Sequence, residues 1–229
     1  MNIAIPLILL VIDLITFQFT TLDLAVQDLF YNFQNSTWLL SNKDNWLLHF
    51  ILYSGEKKLI LIFGISVVLA LIFYRKKQIV SDYKSGLMIV AFSLIVVPFT
   101  VGQLKGNTNM PCPCQLERYG GKFPEIKLFN SYPSNFIQTQ KAKCYPAGHA
   151  SGGFALMGLY FLFKTKRNKR MALAGAFLTG WITGLYKMMN GDHFLSHTIT
   201  TMLLAWILIF LVSIVVYNFT QDKEEYEVY

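Results

Sequence analysis

Charge is what this chain has least of. Only 14% of its 229 residues are Asp, Glu, Lys or Arg, where a soluble domain carries about 25%. That deficit excludes an ordinary soluble fold, because the apolar residues, 54% of the total, lie in long runs between short polar stretches. Three cysteines are too few for a small fold built on disulfides. No strict internal repeat is present. The first twenty residues lack a basic leader and a small-residue cleavage site, and Asp13 interrupts their apolar run. An uncleaved first helix therefore fits better than a signal peptide.

What is there is a series of apolar runs, set against the 20 or so residues that a membrane crossing needs; the second and fourth are short and borrow residues from their flanks. Six candidates emerge: Ile3–Thr20, Leu59–Tyr74, Leu87–Leu104, Ala150–Phe163, Met171–Met188 and Thr198–Tyr217. The expected fold is an all-α, polytopic membrane helix bundle of six transmembrane helices. It forms one domain over residues 1–229: a first span and outer segment (1–58), a core bundle (59–217) and a tail (218–229).

The net charge of +7 does not point to nucleic acid. Nine of the 20 Lys and Arg residues fall in two short stretches, Tyr74–Lys84 and Lys164–Arg170, and such basic loops stay on the cytoplasmic side. Six spans then place both termini inside, with the acidic tail Asp222–Glu227. Three segments face outward: Thr21–Lys58, Lys105–His149 and the turn near Asn190–His197. The first holds Leu24, Tyr31, Trp38, Trp46 and Phe50, as helices lying in the membrane interface do; an ordered loop packed on the bundle is the rival reading.

All three cysteines fall in the Lys105–His149 segment, on the oxidising side. Cys144 paired with Cys112 or Cys114 would tie the ends of that segment together and leave one thiol over. A metal site made of Cys112, Cys114, Cys144 and a histidine is the weaker alternative, because Cys-x-Cys is not a common zinc spacing.

Three of the four histidines, His149, His193 and His197, lie at outward ends of expected spans. Polar groups clustered at one membrane face mark function. His149 belongs to Tyr-Pro-Ala-Gly-His-Ala-Ser-Gly-Gly (145–153). There Gly148 lets the backbone approach a ligand closely, the helix start after it attracts an anion, and the imidazole can protonate a leaving oxygen. His193 and His197 stand in Gly-Asp-His-Phe-Leu-Ser-His (191–197), four apart and so on one helical face. One of them can attack phosphorus, with Asp192 or His197 holding its tautomer. The pair lacks the Glu of a His-Glu-x-x-His zinc motif. Lys105, directly after the third span, supplies a cation for phosphate.

These residues resemble the type 2 phosphatidic acid phosphatase and vanadium haloperoxidase superfamily, whose motifs are Lys-x6-Arg-Pro, Pro-Ser-Gly-His and Ser-Arg-x5-His-x3-Asp. The likeness covers roughly Gly86 to Tyr217, and the order of the motifs is kept. In the first motif Cys112 stands where the Arg belongs. In the second, Ala147 replaces the Ser. In the third, Lys187 occupies the Arg position and His197 the Asp position. A bacterial branch of the superfamily has similar Cys-Pro, Pro-Ala-Gly-His and His-Phe-Leu-Ser-His forms.

The resemblance implies a lipid phosphate phosphatase at the periplasmic face of a bacterial inner membrane, acting on a phosphomonoester or diphosphate through a phosphohistidine intermediate. It implies no metal and no other cofactor. By it, His193 is the nucleophile and His149 the acid and base, with His197 beside them. Lys105, Arg118, Lys187 and the Gly148 N–H hold the phosphoryl group. Arg118 enters as the only arginine outside the basic loops, and Ser151 as a stand-in for the missing Ser. The expected partners are a membrane lipid phosphate and the bilayer. The alternatives are a lipid phosphotransferase that uses the same intermediate and a non-catalytic lipid-phosphate binder.

Overall fold

The computed structural model describes residues 3–40 and 46–220; the acidic tail and the stretch 41–45 lie outside the described residues. The described residues are mostly helical, with an irregular stretch between Gly120 and Ala150. α1 (Ala4–Phe19) is followed, across a 76° bend, by the short α2 (Leu22–Asp28). A two-stranded antiparallel hairpin follows, β1 (Tyr31–Asn32) and β2 (Thr37–Trp38), with Tyr31 opposite Trp38. Its turn is closed by Asn32 Oδ1, which accepts from Gln34 N at 2.9 Å and Asn35 N at 3.2 Å.

α3 (Trp46–His49) runs through a π-helical turn (Phe50–Gly55) into α4 (Glu56–Phe73). After α5 (Gln78–Asp82) comes α6 (Lys84–Asn107), with Pro98 inside it. The long outer segment contains two 3-10 turns, Pro113–Gln115 and Glu117–Tyr119. α7 (Ser151–Ala155) tightens into a 3-10 stretch (Leu156–Phe161), and α8 (Lys166–Met189) and α9 (Leu195–Thr220) complete the bundle.

Among the described residues, two helices suffice by length and composition to cross a membrane, α6 and α9; the bent α1–α2 pair makes a third if it counts as one span. The other three expected crossings fall short of that standard for visible reasons. α4 opens on Glu56-Lys57-Lys58. α8 opens on Lys-Arg-Asn-Lys-Arg and is diluted by Gly, Thr and Trp. The Ser151–Phe161 helix has 5 α-helical and 6 3-10 residues, which at ~1.5 and ~2.0 Å per residue reach about 20 Å, against a core of about 30 Å.

The core is formed by α6, α7 and α9 around Ile89, Val97, Ala147, Ala150, Phe154 and Ile209, none of them exposed. Small residues bring the helices close: a Cβ on Gly180 of α8 would lie 2.3 Å from the Phe154 ring, so only glycine lets α7 seat there. By contrast α4 buries only Val67 and exposes Leu61, Ile62, Ile65, Leu69, Ile72 and Phe73. A row of exposed apolar residues of this size marks an apolar partner rather than water.

The two basic stretches meet at one end. Lys164 Nζ lies 4.8 Å from the centre of the Tyr83 ring, and Ser85 donates to Thr220 Oγ1 at 3.1 Å. The opposite end carries an aromatic cap in which Leu24, Tyr31 and Trp38 pack with Leu116, Tyr119 and Phe194. Of the first outer segment, α2 and α3 are helical and the hairpin is not, and its Leu24, Tyr31 and Trp38 turn inward onto the outer loop.

Candidate active site

The cap grips the turn between α8 and α9. Gln27 Nε2 donates to Met188 O at 2.8 Å, Leu40 N to Met189 O at 3.2 Å and Cys114 N to Gly191 O at 2.9 Å. Gly191 has φ 74°, and a Cβ there would lie 2.3 Å from the Trp38 indole. Glycine is thus required twice over, for the backbone and for the indole. The turn delivers His193, 1% exposed, just before α9 begins at Leu195. His193 and His197 therefore do not share a helical face as their spacing suggests. Their rings still meet, 5.7 Å apart at 62°.

From the other side comes Cys144–Ala150. Cys144 is disulfide-bonded to Cys112, with Cα atoms 5.1 Å apart, and its N–H donates to Met110 O at 3.0 Å. Cys114 is the free, exposed thiol. Ala147 N donates to His197 O at 3.1 Å and Thr201 Oγ1 to Ala147 O at 3.2 Å, which fixes the segment on α9. His149 then faces His193: Nδ1 of the first and Nε2 of the second lie 2.7 Å apart and share a hydrogen bond. His193 Nδ1 is buried without a hydrogen-bond partner among the described residues. The His197 ring is fully buried, edge-on to Tyr145 at 5.2 Å and to Phe194 at 5.3 Å.

Cations surround the pair. Lys105, at the end of α6, passes over Gly148: a Cβ built there would lie 3.6 Å from its Cδ and 3.9 Å from its Nζ. Lys187 is buried and bridges to Asp192 Oδ2 at 3.0 Å, so Asp192 serves this lysine and not His193. Burial, reinforced by the charges of Lys187, Lys105 and Lys57, pushes the His149 imidazole down to about 3. Burial also holds His193 well below the usual range, with His197, His149, Lys105 and Lys187 adding to it. Both rings are therefore neutral near pH 7.

Arg118 is not brought into this cluster. Its fork grips Asp28, Nε to Oδ1 at 3.0 Å and Nη2 to Oδ2 at 2.5 Å, and its guanidinium lies over the Phe33 and Tyr119 rings. The bidentate carboxylate occupies the Nε–Nη2 edge of the fork and holds Arg118 at Asp28 rather than at the histidines. Ser151 Oγ donates to Gly148 O at 2.7 Å, so its hydroxyl proton is also committed.

Two groups at the site escaped the sequence reading. Lys57 and Glu56 open α4 and line a cavity of about 590 Å³ together with Gly148, His149, Ser151 and Thr183. The available signal was the charged triplet Glu56-Lys57-Lys58 at the head of an apolar run. Away from His149 the cavity wall is apolar, with Ile60, Ile65 and Leu69 of α4 and Leu94, Ile95 and Pro98 of α6. Among the described residues no group of three or more His, Cys, Asp or Glu is placed to hold a metal ion.

The profile of the PAP2 superfamily matches residues 86–221, a stretch that contains Lys105, His149, Lys187, His193 and His197. A lipid A 4'-phosphatase of Francisella tularensis subsp. novicida is 28% identical over 169 residues, which cover 72% of each chain. No solved structure matches.

Proposed function

The chain belongs to the PAP2 superfamily, and on that premise we propose that it is a membrane lipid phosphatase, hydrolysing a phosphate ester of a lipid at the outer face of a bacterial inner membrane. One observation carries the reading: half-buried His149, hydrogen-bonded to buried His193, lines the polar end of an otherwise apolar cavity together with Lys57, and Lys105 passes over the adjacent Gly148. That is an environment for a phosphate attached to an alkyl chain. The likeness to a protein named for its action on lipid A supports a lipid phosphate as the substrate and puts a lipid A phosphate first among the compounds to try.

In the proposed mechanism, the phosphoryl group enters between His193 and His149 and parts their hydrogen bond. Lys105, Lys187 and Lys57 neutralise its oxygens, with the Gly148 N–H at the start of the following helix. The phosphate's negative charge favours imidazolium at His149. His193 Nε2 attacks phosphorus; the N–P bond forms as the bond to the ester oxygen breaks, and His149 gives that oxygen its proton. Water then attacks the phosphohistidine and loses its proton to His149. The N–P bond breaks, and inorganic phosphate leaves. His197, edge-on to His193, orients the nucleophile.

The six expected spans belong to this proposal, with α4, α8 and the Ser151–Phe161 helix, the last lengthened by its flanking residues, crossing beside α1, α6 and α9. The meeting of both basic stretches at the end opposite the histidines supports that orientation. The intermediate is tested with a lipid carrying 32P in its phosphate. Quenching in alkali, where phosphohistidine survives, is expected to leave label on the peptide containing His193. Label on another residue, or turnover without any labelled protein in a rapid quench, overturns the covalent mechanism.

A further inference from the structure

Glu56 is out of place in a phosphate site. It opens α4 directly after the π-helical turn Phe50–Gly55, and such turns occur frequently at functional sites. It lines the same cavity as Gly148 and His149. A carboxylate there repels the phosphate that the neighbouring lysines attract. Yet it is held in place: Thr183 Oγ1 of α8, 2% exposed, donates to Glu56 Oε2 across 127 positions of sequence. That contact joins α4, which otherwise buries little, to the core beside the histidines.

A carboxylate accepts hydrogen bonds and donates none, and its two oxygens offer about four acceptor positions. Thr183 takes one. Glu56 lines the cavity with Gly148 and His149, so the rest of its acceptor capacity is offered to a group bound there. The substrate group that satisfies it is a donor, O–H or N–H, on the alcohol side of the ester.

Building on the lipid phosphatase reading, we propose that Glu56, anchored by Thr183, is a specificity residue that accepts a hydrogen bond from a hydroxyl or amide next to the phosphorylated carbon. The substrate class is then a lipid phosphate whose phosphate sits on a polyol or sugar. Diacylglycerol phosphates and isoprenyl phosphates, which offer no such donor, are poorer substrates. Rejection of an analogue that lacks a hydroxyl a site is built to bind is a strong source of selectivity, because the buried acceptor is left unmet.

The test compares phosphatidylglycerol phosphate with its 2-deoxy analogue, which differs only in the hydroxyl beside the phosphate. For the unmodified protein, kcat/KM is expected to be at least about 10-fold higher on the hydroxylated lipid, the size of one hydrogen bond to a charged group. Glu56→Ala brings the ratio to about one, and a Tm in detergent equal to that of the unmodified protein reports intact folding. Thr183→Val, which leaves Glu56 but removes its anchor, moves the ratio the same way, and Thr183→Ser restores it. Equal rates for the unmodified protein, or an equal fall on both lipids in Glu56→Ala, overturn the inference. Release from neither lipid overturns it too, while release from another lipid phosphate leaves the phosphatase reading standing.

Discussion

His149 Nδ1 and His193 Nε2 lie 2.7 Å apart and share one hydrogen bond, although 44 positions separate them in the chain. A phosphorus atom does not fit between nitrogens so close, so the bond must open for the proposed chemistry. In the proposed mechanism the resting pair acts as a latch that the substrate displaces.

If His149 is the acid, its loss is felt most where the leaving oxygen is a poor one. His149→Ala is expected to lower kcat on an alkyl lipid phosphate by about 10²–10⁴ and far less on an aryl phosphate, whose leaving oxygen needs no proton. Steady-state rates on the two esters check this, and an equal loss on both contradicts the role.

Burial and three lysines push His149 from 6.5 to about 3. The unfolded chain takes up a proton on this residue below about 6.5 while the folded chain does not. Folding stability is therefore unaffected above that pH and falls progressively as the pH drops toward 3. Thermal melts in detergent between pH 7 and pH 4 are expected to show a declining Tm, with a shallower decline in His149→Gln.

Arg118 and Lys105 are expected to part company under mutation. The Arg118 side chain is 45% exposed and paired with Asp28, and such surface pairs contribute about 0–1 kcal/mol. Arg118→Gln should change kcat/KM by less than about two-fold, while Lys105→Met, which removes a cation from over Gly148, should cost about 10²–10³-fold. A large loss at Arg118 in kinetic assays would return it to the phosphate site.

The Cys112–Cys144 disulfide closes a loop with a sequence separation of 32 and holds the segment that leads into His149. Maleimide labelling without reductant should modify one thiol per chain, Cys114, and three after reduction in denaturant. Removing the bond by Cys112→Ser should lower stability by about 2–4 kcal/mol and depress activity, both measurable on the same purified sample.

Much of this site is legible in the sequence, because the histidines and Lys105 stand in local patterns whose chemistry depends on near neighbours. Lys187 too is placed by a motif position, and its partner Asp192 is five residues away. What is not legible depends on contacts made across the fold. The reassignment of Arg118 rests on Asp28, 90 positions distant, and nothing in Gln-Leu-Glu-Arg-Tyr announces that partner. Glu56 and Lys57 look like a routine charged helix start until α8 brings Thr183 alongside. The fourth apolar run, Ala150–Phe163, is already short in the sequence, but its change from α to 3-10 geometry after Ala155 and its close seat of Gly153 and Phe154 against Gly180 are contacts across the fold that the sequence does not announce.

The most direct test of the account is phosphate release by the purified protein in detergent from a panel headed by a lipid A phosphate, with EDTA present, beside His193→Ala. The account predicts free inorganic phosphate from at least one lipid and none above background from His193→Ala of equal Tm. Release that survives in that variant, transfer of the phosphoryl group to a second lipid without free phosphate, or no turnover by folded protein would contradict it.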